Sequence, residues 1–385
     1  MSVFTFATVP TIIAGPGSIA RLGDAAGARL GARVAVISDD GLVRAGLVEP
    51  ALAALRAGGA EVSLYTGVVA DPPEAIVEAA VAQARAFGAT GVLGIGGGSS
   101  LDVAKLVALL CRSEEQLADI YGVGKVQGQR LPLVLVPTTA GTGSEVTPIA
   151  IITTGEHEKK GVVSPVLLPD IALLDAALTL GLPPAVTAAT GIDAMVHAIE
   201  AFTSASPNNN PVSRSLAKEA LRLLGAHIET AVLQGTDLEA RQAMLIGSML
   251  AGQAFANAPV AAVHALAYPI GGRYHVPHGL SNSLVLPHVL RFNAPACSAA
   301  YAELAPCLFA HLGGSTPEQR LTGFIDGLSA LPGRLNLPQR LRDVGIPRDK
   351  LSLLADDAME QTRLLVNNPR PVSRADALAI YEAAW

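Results

Sequence analysis

The chain has 385 residues, half of them hydrophobic, which is enough to bury a large core and to divide into two domains. With 27 basic against 33 acidic residues its formal charge is −6, and it lacks the clustered basic footprint of a nucleic-acid binder. Three widely spaced cysteines (Cys111, Cys297, Cys307) form neither a zinc pattern nor a disulfide framework, so a reducing, cytoplasmic setting is expected.

Taken in chain order, the N-terminal segment has no basic stretch ahead of its apolar residues, and no run of about 18 apolar residues follows anywhere. Neither a secretory signal nor a membrane partner is therefore expected. Gly15-Pro16-Gly17-Ser18-Ile19-Ala20 superficially matches the dinucleotide fingerprint G-x-G-x-x-A. No acidic residue follows in the usual frame, and Pro16 hinders close backbone approach, so a tight turn opening a helix is the plainer reading. Strands are expected at residues 33–38, 61–66, 91–95 and 131–136, and helices at 48–57, 73–87 and from about Leu101. Short apolar runs between amphipathic helices predict a mainly parallel sheet covered on both faces. This is the expected α/β N-terminal nucleotide-binding domain, residues 1–180. Beyond Pro183-Pro184 the texture turns helical, at 185–203, 211–233, 239–255 and 297–312, which predicts an all-helical domain over 181–385.

Two glycine-rich loops follow predicted strands. Gly96-Gly97-Gly98-Ser99 precedes a helix carrying Asp102 and Lys105. Its glycines permit a tight turn, and the helix start offers unpaired N–H groups to a pyrophosphate. The second loop, Pro137 to Glu145, carries the hydroxyls of Thr138, Thr139, Thr142 and Ser144. Such hydroxyls can bond ribose, phosphate or a carboxamide, and ligands of open α/β sheets gather at these strand ends. Asp39 follows the first strand of the alternating region, where a carboxylate accepts from ribose hydroxyls and repels a 2′-phosphate, which favours NAD over NADP.

Asp193 and His197 stand four apart in an apolar helical segment and share one face. His264 and His278 follow, fourteen apart, with a glycine-rich stretch between them. One carboxylate and three imidazoles can hold a divalent first-row metal and leave a position open for substrate. Glu200, two helical turns beyond Asp193, reads as structural or as a support for a neighbouring ligand. His157, His227 and His311 read as surface or structural residues, and His288 as a group that orients others. Arg273 is the one evident cation near these motifs and reads as solvent-facing.

Together these segments resemble the iron-containing (group III) alcohol dehydrogenase family over nearly the whole chain. The most specific stretches are Ala189 to Ala201 and His275-Val276-Pro277-His278-Gly279. The resemblance implies a dehydroquinate synthase-like fold, with an NAD domain, a helical metal domain and a catalytic cleft between them. It implies Asp193, His197, His264 and His278 as ligands of Fe2+, with Zn2+ or another divalent metal as substitutes. Gly96, Gly97, Gly98, Ser99, Asp102, Thr138, Thr139, Thr142 and Ser144 match its NAD signatures, Asp39 matches a position tied to NAD preference, and Lys160 resembles a basic position near the cofactor. Where several relatives carry a further histidine, this chain has Tyr268, which titrates near 10 rather than 6.5. Tyr268 can bond a ribose, a substrate or a water but is a poor proton relay, so His275, close in sequence to His278, is read as the relay or substrate-orienting residue, and both are taken as catalytic candidates. The expected activity is hydride transfer between NAD and a small alcohol or aldehyde, with the substrate oxygen on the metal, in a homodimer or larger homo-oligomer. A polyol, diol or hydroxy-acid dehydrogenase of the same superfamily is the alternative. A dehydroquinate-synthase-type lyase would need a basic cluster that the sequence lacks.

Overall fold

The computed structural model describes residues 3–155 and 158–385, so His157 lies outside the described residues. Contacts divide the chain into an α/β unit, Ala7–Leu180, and a helical unit, Gly181–Trp385, which also takes the N-terminal stretch through Phe6. Thr5 secures that stretch to the helical unit by exchanging two 2.9 Å bonds with Asn208.

The α/β unit contains, in chain order, β1 (Thr11–Ala14), α1 (Leu22–Leu30), β2 (Arg33–Ile37), α2 (Asp40–Arg44), α3 (Glu49–Ala57), β3 (Glu61–Tyr65), α4 (Glu74–Phe87), β4 (Gly91–Gly96), α5 (Gly98–Arg112), β5 (Gly122–Val123), β6 (Leu133–Pro137), β7 (Ile149–Thr154), β8 (Glu158–Val163) and β9 (Ile171–Leu174). Six strands form one all-parallel sheet in the order β1-β9-β6-β4-β2-β3. Successive side chains of a strand point to opposite faces, and the two cores obey that alternation. Ala35, Ile37, Val92, Leu133 and Leu135 face α4 and α5, while Val34, Val36, Leu93, Ile95, Val134 and Val136 face α1 and α3. A sheet buried on both faces explains why its central strands read as unbroken apolar runs. β5, β8 and β7 form a separate three-stranded sheet that the sequence reading did not anticipate.

β3 and β4 flank β2 on opposite sides, so the strand order reverses between β2 and β4. A reversal of this kind opens a crevice at the carboxyl ends of the two strands. Asp39 follows β2 there and Gly97 follows β4. The Gly15–Ala20 motif lies elsewhere and is a structural turn. The Asp175 carboxylate accepts the N–H groups of Gly17, Ile19 and Ala177, each at 3.0 Å.

The helical unit runs α6 (Pro184–Thr203), α7 (Pro211–Leu233), α8 (Leu238–Asn257), α9 (Ala262–Tyr274), α10 (His278–Leu308), α11 (Pro317–Arg334), α12 (Leu351–Met359), α13 (Thr362–Leu365) and α14 (Arg374–Ala384). No single described helix is long and apolar enough to cross a membrane. α10 begins nineteen residues before the predicted start at 297 and continues through Pro287, Pro295 and Pro306.

Candidate metal centre and nucleotide loops

The polar face of α6 carries Asp193, His197 and Glu200, all buried among mostly apolar neighbours. His264 enters from the first turn of α9, and His278 is the first residue of α10. One ligand atom from each of the four lies within 4.8 Å of all the others. Asp193 Oδ1 is 3.8 Å from His264 Nε2 and 3.6 Å from His278 Nε2. His197 stacks between the rings of Phe255 at 4.3 Å and His264 at 4.7 Å. Three members are buried, and the side chain of His278, 32% exposed, gives the group its open side.

Gly279 explains how α10 reaches this position. A Cβ there would collide with the carbonyl of Ala189 in α6. The start of α10 thus rests directly on the α6 backbone, one residue after His278.

The electrostatics favour a cation. Burial pushes the Asp193 carboxyl up, but His197, His278, His264 and the Asn282 amide together outweigh it and hold the group below the usual carboxylate range. Glu200 fixes one ligand from behind. Its Oε2 lies 2.6 Å from His264 Nδ1, and its Oε1 accepts the Val263 N–H at 2.7 Å. The same carboxylate therefore caps the start of α9 and selects the tautomer in which His264 turns its Nε2 lone pair toward Asp193. Three imidazoles and one carboxylate, converging with a prepared tautomer and an open side, fit a divalent first-row metal.

Tyr268 lies beside this group, its ring 5.7 Å from that of His278 and 6.5 Å from that of His264. His275 ends α9 in a left-handed conformation with φ of 54° and is exposed. Arg273 is paired with Asp357 through both of its bonding nitrogens, so it is not a free substrate cation. His288, farther along α10, is pushed down to about 4 by burial and by Arg291. Sequence reasoning missed Asn282, whose amide nitrogen is 2.6 Å from Asp193 Oδ1. It follows His278 by four residues, so the spacing rule that paired Asp193 with His197 also points to it.

In the α/β unit the glycine loop leads straight into α5, which starts at Gly98, three residues before the predicted start. No side chain caps this helix, so its first N–H groups are available to an anion. A Cβ at Gly98 would press on Thr142 at 2.8 Å, and Gly96 has φ of +154° with Ser100 at 2.6 Å from a Cβ. The two loops therefore pack with backbone where side chains would stand, and such a cradle fits a pyrophosphate. Thr138 joins them through its N–H to the Gly96 carbonyl at 2.9 Å. Asp39 caps α2, its Oδ1 accepting from Leu42 N at 3.0 Å.

Asp102 and Ser144 are engaged with protein groups. Ser144 Oγ donates to Asp102 Oδ1 at 2.6 Å, and Ile151 N donates to Asp102 Oδ2 at 2.9 Å. Fully buried Lys105 donates to Ser144 Oγ at 2.8 Å, Thr147 Oγ1 at 3.2 Å and the Ile149 carbonyl at 2.6 Å. Burial pushes the Asp102 carboxyl up and the Lys105 ammonium down, each partly offset by the other's charge. These residues fasten the hydroxyl loop to α5. Lys160 lies apart on β8, 3.2 Å from Glu158 and with its ammonium 5.8 Å from the Tyr121 ring centroid.

Two family models match the chain: "Iron-containing alcohol dehydrogenase" over residues 10–176 and "Fe-containing alcohol dehydrogenase family, C-terminal" over residues 187–385. The chain is 43% identical over 361 residues to long-chain-alcohol dehydrogenase 1 of Geobacillus thermodenitrificans, covering 93% of this chain and 91% of that one. The crystal structure of a 1,3-propanediol oxidoreductase superposes with a TM-score of 0.96 at 33% identity, covering 100% of both chains. The NAD+ complex of sulfoacetaldehyde reductase from Bifidobacterium kashiwanohense gives 0.88 at 29% identity, covering 100% of this chain and 99% of that one.

Proposed function

The chain belongs to the iron-containing alcohol dehydrogenase family and is an oxidoreductase, and on that premise we propose that it interconverts a small alcohol and its aldehyde or ketone. NAD is the hydride carrier in this reading, and Fe2+, or Zn2+ or another divalent ion in its place, is held by Asp193, His197, His264 and His278. The observation that carries it is the convergence of those four ligand atoms within 4.8 Å. Bound at these sites, the ion supplies Lewis acidity toward a substrate oxygen, and NAD supplies the carbon that takes or gives hydride.

The chain's own residues prepare that chemistry. Glu200 holds His264 in the tautomer that ligation requires. Gly97, Gly98 and Ser99 present backbone N–H groups to the pyrophosphate. Asp39 keeps Oδ2 for ribose, and Thr138, Thr139 and Thr142 offer hydroxyls to the rest of the cofactor. Asp102, Lys105 and Ser144 act through the loop they hold. Tyr268 presents a hydroxyl beside His278 that can bond the substrate or a water, and exposed His275 is the candidate to carry the substrate proton to water.

A diol is the second substrate class, favoured by the likeness to 1,3-propanediol oxidoreductase over the full chain. A cytoplasmic homodimer or larger homo-oligomer is part of the same reading. β1 stands at the edge of the sheet with three of its four residues exposed, and light scattering after gel filtration measures the subunit count.

The test is anaerobic reconstitution of metal-free enzyme with Fe2+, Zn2+ or no metal. NADH and NADPH formation is then followed with short and long alcohols and 1,3-propanediol, with His264→Ala alongside. Turnover should require metal, prefer NAD and vanish in the variant. Equal turnover without metal, or in His264→Ala, would sink the proposal.

A further inference from the structure

Asn282 lies on α10 one turn beyond His278, fully buried, and faces the same group of ligands. Its amide nitrogen is 2.6 Å from Asp193 Oδ1 and 3.3 Å from the Nε2 atoms of both His264 and His278. Its carbonyl oxygen is buried and has no hydrogen-bond partner. Orphaning a buried carbonyl is costly, and most buried polar atoms avoid it. The reverse orientation is worse, because it would place the amide oxygen against a carboxylate oxygen. Asp193 thus sets the amide's orientation, and the amide in turn fixes the plane of the carboxylate.

We propose that Asn282 is a positioning residue of the metal centre, its amide donating to Asp193 so that the carboxylate is held ready for the ion. This rests on the metal reading of the tetrad. A bound cation would take the imidazole lone pairs, so the two 3.3 Å contacts would be given up. The bond to Asp193 could be kept, because a carboxylate has four lone-pair sites and can serve an ion and a donor together. A neutral donor does this without adding charge, whereas Lys or Arg at the same place would repel the ion.

The experiment titrates Co2+ into metal-free protein under argon. It reads the visible d–d band and takes affinity from competition with a chelator. Co2+ binding by the unaltered protein tests the metal reading, and the variants test Asn282. Asn282→Ala and the near-isosteric Asn282→Leu should each weaken binding about 10- to 100-fold and alter the band. In an Asp193→Ala background the same change at Asn282 should cost nothing more, as expected for two residues acting as one unit. Binding within about twofold of the unaltered protein in either variant, or losses that multiply in the double variant, would overturn the proposal. Should the variants fail to fold, asparagine-selective 15N labelling of the unaltered protein decides. One slowly exchanging side-chain amide should shift when Zn2+ is added and remain slow to exchange, and its absence rejects the assignment.

Discussion

Glu200 serves two partners, with one oxygen on the Val263 N–H and the other 2.6 Å from His264 Nδ1. Glu200→Ala should therefore lower metal affinity about 10- to 100-fold and, by removing a helix cap, stability by about 1 kcal/mol. Chelator competition reads the first effect and thermal melting of the metal-free protein the second. Asp193 and His197 were legible because a four-residue spacing is local, and Glu200 was read as structural or as a support for a ligand, but which ligand it supports, 64 residues away, was not legible. Glu145 was hidden for the same reason. Its carboxyl is buried with Oε1 unpartnered. Burial pushes it up to about 7 against its own backbone bond and the charge of Lys105. A folded pKa above the unfolded one contributes stability that is complete below about pH 4.5 and is lost as pH rises through about 7. Glu145→Gln removes that loss. The variant should match the native protein near pH 4.5 and exceed it by about 1–3 kcal/mol at pH 8 in denaturant unfolding. Equal stability at both pH values would show that the carboxyl does not titrate in this range.

At the scale of elements, β2, β3, β4 and β6 were legible because their apolar runs are bounded by helices of clear periodicity. β1 and β9 have four residues each, too few for a pattern. β8 opens with Glu158-Lys159-Lys160 and looks like a solvated turn, yet six register pairs join it to β7. α10 was cut short by its prolines, each of which removes a backbone donor and disfavours a continuous helix. Burial of Leu284, Val285, Leu286, Val289 and Leu290 on either side of Pro287 overrides that cost. The beginning of α10 matters most for the site, and Gly279 tests it. In Gly279→Ala the new methyl meets the Ala189 carbonyl and lifts His278 from Asp193. Weaker Co2+ binding with α-helix content unchanged by circular dichroism is the expected result, and unchanged affinity would mean that α6 and α10 can part without disturbing the ligands. Lys105 has the corresponding place in the α/β unit, where its three bonds tie α5 to the hydroxyl loop and β7. Lys105→Met should raise the KM for NAD more than it lowers kcat, because it loosens the loop without removing a group that touches the reacting atoms.

At the scale of the whole molecule, the chemistry is divided between two compact units. The four candidate ligands all come from α6, α9 and α10 of the helical unit, and the glycine loop, Asp39 and the hydroxyl loop all come from the α/β unit. Each set is prepared within its own unit, the first by Glu200 and Asn282 and the second by Asp102 and Lys105. The division predicts that the two binding reactions can be abolished separately. Gly98→Val forces a branched side chain against Thr142, where even a Cβ would stand at 2.8 Å. It should weaken NAD binding at least about tenfold, or about 1.4 kcal/mol, while Co2+ binding stays as it was. His264→Ala should do the reverse, losing Co2+ while nucleotide affinity, measured by NADH fluorescence, stays within about twofold. His264→Ala should not turn over substrate, and Gly98→Val should do so only at raised NAD concentration, because hydride transfer needs both sites filled. If His264→Ala also lost nucleotide binding, with the protein still folded, the metal ligands would have to take part in building the nucleotide site. The division of labour between the units would then fail.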